Sequence, residues 1–383
     1  MASKPAASET GDPLLLTPGP LTTSRTVKDV MVHDWGSRDQ KFIDINQAVR
    51  DEIVKIAGGT GTHVLVPMQG SGTFAVEAMI TSFLPRDGKM LILVNGAYGQ
   101  RCAKICDYND RAYVTYETPE DTPPNVDEIG RILDADEGIS HVFAVHCETT
   151  SGIVNPIKEI ASMVKAKGRS LLVDSMSAFG AMPIDAGEVY YDALAASSNK
   201  CLEGVPGMGF VVCRESALAG TKGNANALVL DLFDQWKAME ANKQWRFTPP
   251  IHVIVSLHQA IQEFLEEGGQ PGRGGRYANN CKVLVDGMRA MGFETLLPDH
   301  LQAPIIITFH KPSDPNFHFE TFYNALAEKG YLIYPGKLTV ADSFRIGCIG
   351  RLDEGHMEGA LGAIRDVLTE MNVTNCAPAQ AAE

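Results

Sequence analysis

The sequence predicts an α/β fold, with a large domain on a mostly parallel sheet covered by helices and then a smaller α+β domain. Three observations predict it. Short apolar runs alternate with longer segments of 3.6-residue period between about residues 73 and 213. Strand, helix, strand in that order sets parallel strands side by side with crossover helices over them. The runs themselves, such as MLILV, show no polar alternation, as expected of strands buried on both faces. Beyond residue 272 the texture changes, from the Gly- and Arg-rich GRGGRY to helices interleaved with PIIITF and SFRIG.

Taken in order, LLLTPGP at 14–20 is Pro-rich and extended. A helix is expected over 73–84, with Phe74, Met79, Ile80 and Phe83 apolar, then a strand at 90–94 and another at 141–146 (HVFAVH). A helix over 157–167 carries Ile160, Ala161 and Val164, and strands follow at 170–173, 193–196 and 210–213. GRGGRY at 272–277 reads as a hinge. After it come a helix at 280–291, a strand from 304, a helix at 320–329, and strands at 331–334 and 343–347. The last helix shows one stripe of Met357, Ala360, Leu361, Ile364, Leu368 and Met371. The expected division is 21–271 for the large domain and 272–371 for the small one, joined by 13–20, with flexible tails at 1–12 and 372–383.

With 383 residues, 44% hydrophobic and 21% charged, the chain has the balance of a soluble globular protein. A net charge of −14 argues against nucleic acid and anionic membranes as partners, so any anion site has to be built locally. Eight cysteines occur without a CxxC pair; reduced, buried thiols in a cytoplasmic protein are expected, with no metal. MASKPAASETGD lacks the apolar core of a signal peptide, and no apolar run reaches membrane-spanning length.

Four features fall where strands of the large domain give way to loops, the place where open α/β sheets gather ligands. Gln69-Gly70-Ser71-Gly72-Thr73 precedes a helix, and its amides and hydroxyls suit a phosphate; it also reads as an ordinary helix cap. Tyr98, flanked by glycines in NGAYG, can lie flat over a planar ring or be a plain exposed turn aromatic. Asp174 ends SLLV, where a buried carboxylate needs a cation or hydrogen bonds. Lys200 in SSNKCLEGVPGMGF has Asp192 and Glu203 as its nearest charged neighbours in sequence. A desolvated lysine is easier to hold neutral and becomes a nucleophile toward carbonyls, although a lone lysine is ordinarily solvated. Together these are the parts a pyridoxal phosphate site needs: a phosphate cup, a stacking aromatic, an acid for the ring nitrogen and a lysine.

That wording resembles the class V, fold-type I aminotransferases, and within them the members that act on 2-aminoethylphosphonate and pyruvate. TPGPLTTS, VHDWGSRD, QGSGTFAVEA, HCETTSG, VDSMSAFG, SSNKCLEGVPGMGF and SFRIGCIG carry the resemblance, from about residue 14 to 367. It implies pyridoxal 5'-phosphate held on Lys200, which then moves the substrate proton; Asp174 on the ring nitrogen; Ser71, Gly72 and Thr73 on the phosphate; and Tyr98 on the ring. Thr149 and Ser151 would touch the ring hydroxyl or the phosphate edge. Thr248 in WRFTPP would reach the cofactor phosphate of a neighbouring subunit, which implies a homodimer. Arg345, between Phe344 and Ile346 in SFRIG, would bind the carboxylate of pyruvate or alanine, and also the phosphonate, as a guanidinium fork does; Arg38 in HDWGSRD is a weaker candidate for a second anion contact, a solvated loop arginine being the ordinary reading. The implied reaction is amino transfer from 2-aminoethylphosphonate to pyruvate, in phosphonate degradation. An alanine–glyoxylate or serine–pyruvate aminotransferase shares the scaffold, and a non-enzymatic α/β binding protein would use the same residues structurally.

Overall fold

A computed structural model describes residues 5–336, 338 and 342–379. Its large sheet has seven strands: β1 His63–Gln69, β2 Lys89–Val94, β3 Ala112–Glu117, β4 Ile139–Val145, β5 Ser170–Asp174, β6 Ala193–Ser197 and β7 Met208–Arg214. Their order across the sheet is β1-β7-β6-β5-β4-β2-β3, and β7 alone runs antiparallel to its neighbours. The helices that matter are α1 Gln40–Ile56, α2 Gly72–Phe83, α3 Ala97–Tyr108, α4 Val126–Ala135, α5 Ile157–Ala166, α6 Leu232–Asn242, α7 Ile251–Glu266 and α8 Gly269–Ala290.

The unbroken apolar runs explain the layering. Side chains alternate across a strand, so Leu91 and Leu93 of β2, with Leu171 and Val173 of β5, join the core under α1, α5 and α7. Met90, Ile92, Val94 and Leu172 point the other way, into the core that contains Met79 and Ile80 of α2 and Cys102 of α3. Helix α2 is apolar nearly all round because it is buried between the sheet and its neighbours.

A second sheet, β8 Ile306–His310, β9 Tyr334–Pro335 and β10 Ser343–Gly347, has the order β8-β10-β9 and is antiparallel throughout. Helices α9 Phe319–Glu328 and α10 Glu354–Glu370 cover it. Its core is aromatic, with Phe344 stacked on Phe309 at 5.7 Å between ring centres and packed by Phe293, Phe317 and Phe322. The strand Leu14–Leu15 pairs in parallel with Tyr331–Leu332, which threads the N-terminal segment onto this smaller unit.

Three expectations need correction. GRGGRY is no hinge: it lies inside α8, which runs unbroken from residue 269 and so includes the segment expected to begin at 280. Gly274 is needed because a Cβ there would collide with the Ala181 carbonyl as the helix crosses the large domain. The domain boundary expected at 272 therefore falls within one helix. The tails are also attached where they are described. The Ala6 amide donates to the Lys329 carbonyl at 2.9 Å, Ser313 donates to Ala377, and Cys376 is buried. Residues 1–4 and 380–383 lie outside the described residues. Among the described residues, no helix is long and apolar enough to cross a membrane.

Candidate active site

Strands β1, β2, β4, β5 and β6 point the same way, so the segments that leave their carboxyl ends meet at one edge of the sheet. β1 leads to Ser71, β2 to Tyr98, β4 to Glu148 and Thr149, β5 ends on Asp174, and β6 leads to Lys200. Register fixes their heights: Asp174 stands beside Val145 and Ala195, and Ser197 beside Gly209.

Burial pushes the Lys200 amine down to about 8, and nearby Arg101 acts in the same direction. Its Nζ donates to the Pro18 carbonyl at 2.7 Å and lies 3.4 Å from that of Gly19. Gly19 has φ of +116°, and a Cβ there would run into the lysine side chain. The TPGP turn thus forms one wall of the site. The Asp174 carboxyl is pushed up to about 6, chiefly by burial, while the Met176 amide bonds its Oδ1 at 2.9 Å. Beside it, His146 Nδ1 meets Ser175 Oγ at 3.0 Å, and burial pushes this imidazole down to about 4, so it is neutral.

Ser71 precedes the first turn of α2, and its side chain makes no cap bond. Thr73 Oγ1 accepts from Arg101 Nη1 at 3.1 Å, and the Arg101 guanidinium lies over the Tyr98 ring, 4.7 Å from its centre. Tyr98 is held on the opening turn of α3. Its amide donates to Glu148 at 3.1 Å, and the Ala97 amide donates to Thr150 Oγ1 at 3.0 Å. Glu148 is fully buried and also accepts from the Thr150 amide and hydroxyl. Burial raises its pKa, an effect that the helix amides oppose.

Arg345 leaves the middle strand of the small sheet, not an edge. It is buried, and its hydrogen bonds go to carbonyls: Nε to Pro335 at 3.0 Å and Nη1 to Thr149 at 2.7 Å. The Tyr334 ring packs 5.1 Å from the guanidinium, and burial lowers the Arg345 pKa. Thr308 donates to the Ser151 carbonyl at 2.8 Å, a second tie between the small sheet and this loop. Arg38 and Thr248 are elsewhere. Both are exposed and line one cavity of about 340 Å³ with Asn46, Trp245 and Phe247.

The structure adds Pro18, Gly19, Arg101 and Glu148 to the residues read from sequence. TPGP and HCETTSG stand out as motifs, but nothing local says that a carbonyl of the first faces Lys200 or that the acid of the second caps α3. The residues fit pyridoxal phosphate. Ser151 Oγ and Ser197 Oγ are buried with no hydrogen-bond partner among the described residues, so hydroxyls await a polar ligand. The lysine, the carboxylate and an unbonded serine at a helix start also stand at one edge.

A desolvated lysine facing a buried acid on this three-layer scaffold defines an aminotransferase-type site, and comparison with known proteins agrees. The chain belongs to the class-V aminotransferases, whose family model matches residues 26–343. It is 52% identical over 361 residues to the 2-aminoethylphosphonate–pyruvate transaminase of Pseudomonas putida strain KT2440, covering 94% of this chain and 98% of that one. The Pseudomonas aeruginosa strain UCBPP-PA14 protein of the same name is 52% identical over 361 residues, covering 94% and 97%. Among solved structures, pyridoxamine–pyruvate aminotransferase from Mesorhizobium loti superposes with a TM-score of 0.86 at 25% identity, covering 95% of this chain and 94% of its own. Alanine–glyoxylate aminotransferase from Nostoc gives 0.87 at 21% identity, covering 96% and 98%, which establishes the shared fold.

Proposed function

We propose that this chain transfers the amino group of 2-aminoethylphosphonate to pyruvate, giving phosphonoacetaldehyde and L-alanine, as a cytoplasmic homodimeric enzyme of phosphonate degradation. The supporting observation is Arg345, a buried guanidinium whose hydrogen bonds go to backbone carbonyls and which forms no ion pair among the described residues. A buried, unmatched cation is costly unless an anion arrives, and both substrates carry one. Identity of 52% to the named transaminases favours the phosphonate donor over an alanine–glyoxylate or serine–pyruvate reaction.

Lys200, Asp174, Ser71, Gly72, Thr73, Tyr98, Thr149 and Ser151 would hold pyridoxal phosphate. When bound, it supplies the carbonyl that takes the amino group and a ring that accepts the electrons of the broken C–H bond. With a pKa of about 8, the Lys200 amine is partly neutral at physiological pH and able to accept the proton from the substrate carbon and return it at the neighbouring position. Asp174 is mostly ionised at pH 7.5 and opposes the charge of a protonated ring nitrogen. Arg345 orients the acid end of each substrate in turn. The large sheet and its helices act as the cofactor domain, and the small sheet brings Arg345 to it.

Thr248 and Arg38 lie together away from Lys200, which suits residues that complete a partner's site. Val32, Leu228, Val229 and Phe247 expose apolar surface for such a contact.

Adding 2-aminoethylphosphonate alone to the cofactor-loaded protein should bleach its near-visible band, and pyruvate should restore it. Alanine should bleach it too, and serine or glutamate far less. A band untouched by 2-aminoethylphosphonate but bleached by serine contradicts the assignment.

A further inference from the structure

We infer that Arg101 is a phosphate ligand: its guanidinium supplies the positive charge by which the Ser71–Thr73 turn prefers a phosphorylated pyridine aldehyde to the unphosphorylated one. This rests on the aminotransferase reading and extends it to a residue that the sequence motifs leave out. The turn itself is neutral, offering hydroxyls and the N-terminal amides of α2. A phosphate brings nearly two negative charges into a chain whose net charge is already −14. A cation at the turn answers that cost, and Arg101 stands there, with Nη1 3.1 Å from Thr73 Oγ1.

Two further observations point to the same role. Arg101 takes part in no ion pair among the described residues, whereas Arg50, Arg273 and Arg276 are each paired with glutamate. Its charge also bears on both Lys200 and Asp174. The planar fork can donate to Thr73 with one nitrogen and keep others for phosphate oxygens. Its contact with the Tyr98 ring fixes the plane of the fork. Lys200 is the other cation nearby, but its amine is bound to the Pro18 carbonyl and reserved for the carbonyl chemistry.

The test uses full-length protein freed of cofactor and titrated separately with pyridoxal phosphate and pyridoxal, read by absorbance and by tryptophan fluorescence. For Arg101→Gln the expected result is a ~10–100-fold loss of affinity for pyridoxal phosphate, the size of one charge-assisted hydrogen bond, with pyridoxal affinity unchanged. Arg101→Lys keeps the charge without the fork and should lose about three- to tenfold, again for the phosphorylated compound alone. It also carries the test if the glutamine variant fails to fold. Equal losses for both compounds would make Arg101 a prop for Tyr98 and overturn the inference, as would unchanged affinity for pyridoxal phosphate. If wild-type protein takes up neither compound at Lys200, the aminotransferase reading itself falls. Uptake by wild type without selective loss in the variants removes only the role of Arg101.

Discussion

At neutral pH the Lys200 amine and the Asp174 carboxyl both stand nearer their uncharged forms than such groups usually do, because burial penalises charge. For Lys200 the amine is protonated below about 8 and nucleophilic above it. The rate at which cofactor-free protein takes up pyridoxal phosphate should therefore rise with pH, with a midpoint near 8. A midpoint near 10.5, the ordinary lysine value, would contradict the burial argument. For Asp174 the folded pKa of about 6 exceeds the unfolded value of 3.8, so the native state holds its proton more tightly and loses stability as pH rises through that window. Asp174→Asn keeps an acceptor for the Met176 amide and removes the charge. Cofactor-free Asp174→Asn should then be more stable than wild type at pH 7.5 by up to about 3 kcal/mol. The gap should close below pH ~4, which urea titrations at the two pH values would show. Lys200 and Asp174 were legible because a lone charged residue between apolar runs is conspicuous in a string of letters. Arg101 and Glu148 were not, since their meaning lies in contacts with Thr73 and with the amides of α3, at other points of the chain.

Among the elements, α8 ties the lysine loop to the small sheet. Arg276 pairs with Glu203 at 2.8 Å and with Glu267 at 2.7 Å, and it also donates to the Gly350 and Leu352 carbonyls. Arg273 donates to the Cys201 carbonyl at 2.6 Å, and the Tyr277 hydroxyl to Glu203. One buried network thus clamps the residues just after Lys200 to the segment just after Arg345. Glu203→Ala leaves the Tyr277 phenol without its acceptor and Arg273 and Arg276 with Glu267 as their remaining carboxylate, and should cost about 1–3 kcal/mol of stability, read as a lower urea midpoint. A loss under 1 kcal/mol would mean that water serves the arginines as well as the carboxylate does. At this scale the reading was good for β2, β4, β5 and β6, whose apolar runs have two buried faces. It missed that GRGGRY is helical, because three glycines argue against a helix until the Arg273 and Arg276 contacts are seen. It also assigned nothing to β1, where Pro67 is tolerated because the strand is at the sheet edge and pairs on one side only, opposite Phe210.

For the whole molecule, the mostly parallel sheet and the smaller α+β unit followed from periodicity. The meeting of Arg38 and Thr248 at one cavity that Lys200 does not line could only come from three dimensions. If two subunits complete each other's sites, Lys200→Ala and Thr248→Asp chains, each nearly inactive alone, should recover activity when mixed and allowed to re-equilibrate. The hybrid pairs an intact Lys200 with the other chain's intact Thr248. No recovery, or a sedimentation coefficient of a monomer at working concentration, would count against the dimer. The pairing of Leu14–Leu15 with Tyr331–Leu332, and of the Pro18 carbonyl with Lys200, also has a meaning in time. During synthesis the first residues leave the ribosome early, yet the strand that receives them is among the last to emerge. The large sheet can be complete while the N-terminal thread is still unanchored. The wall around the lysine closes only when the two ends of the polypeptide meet.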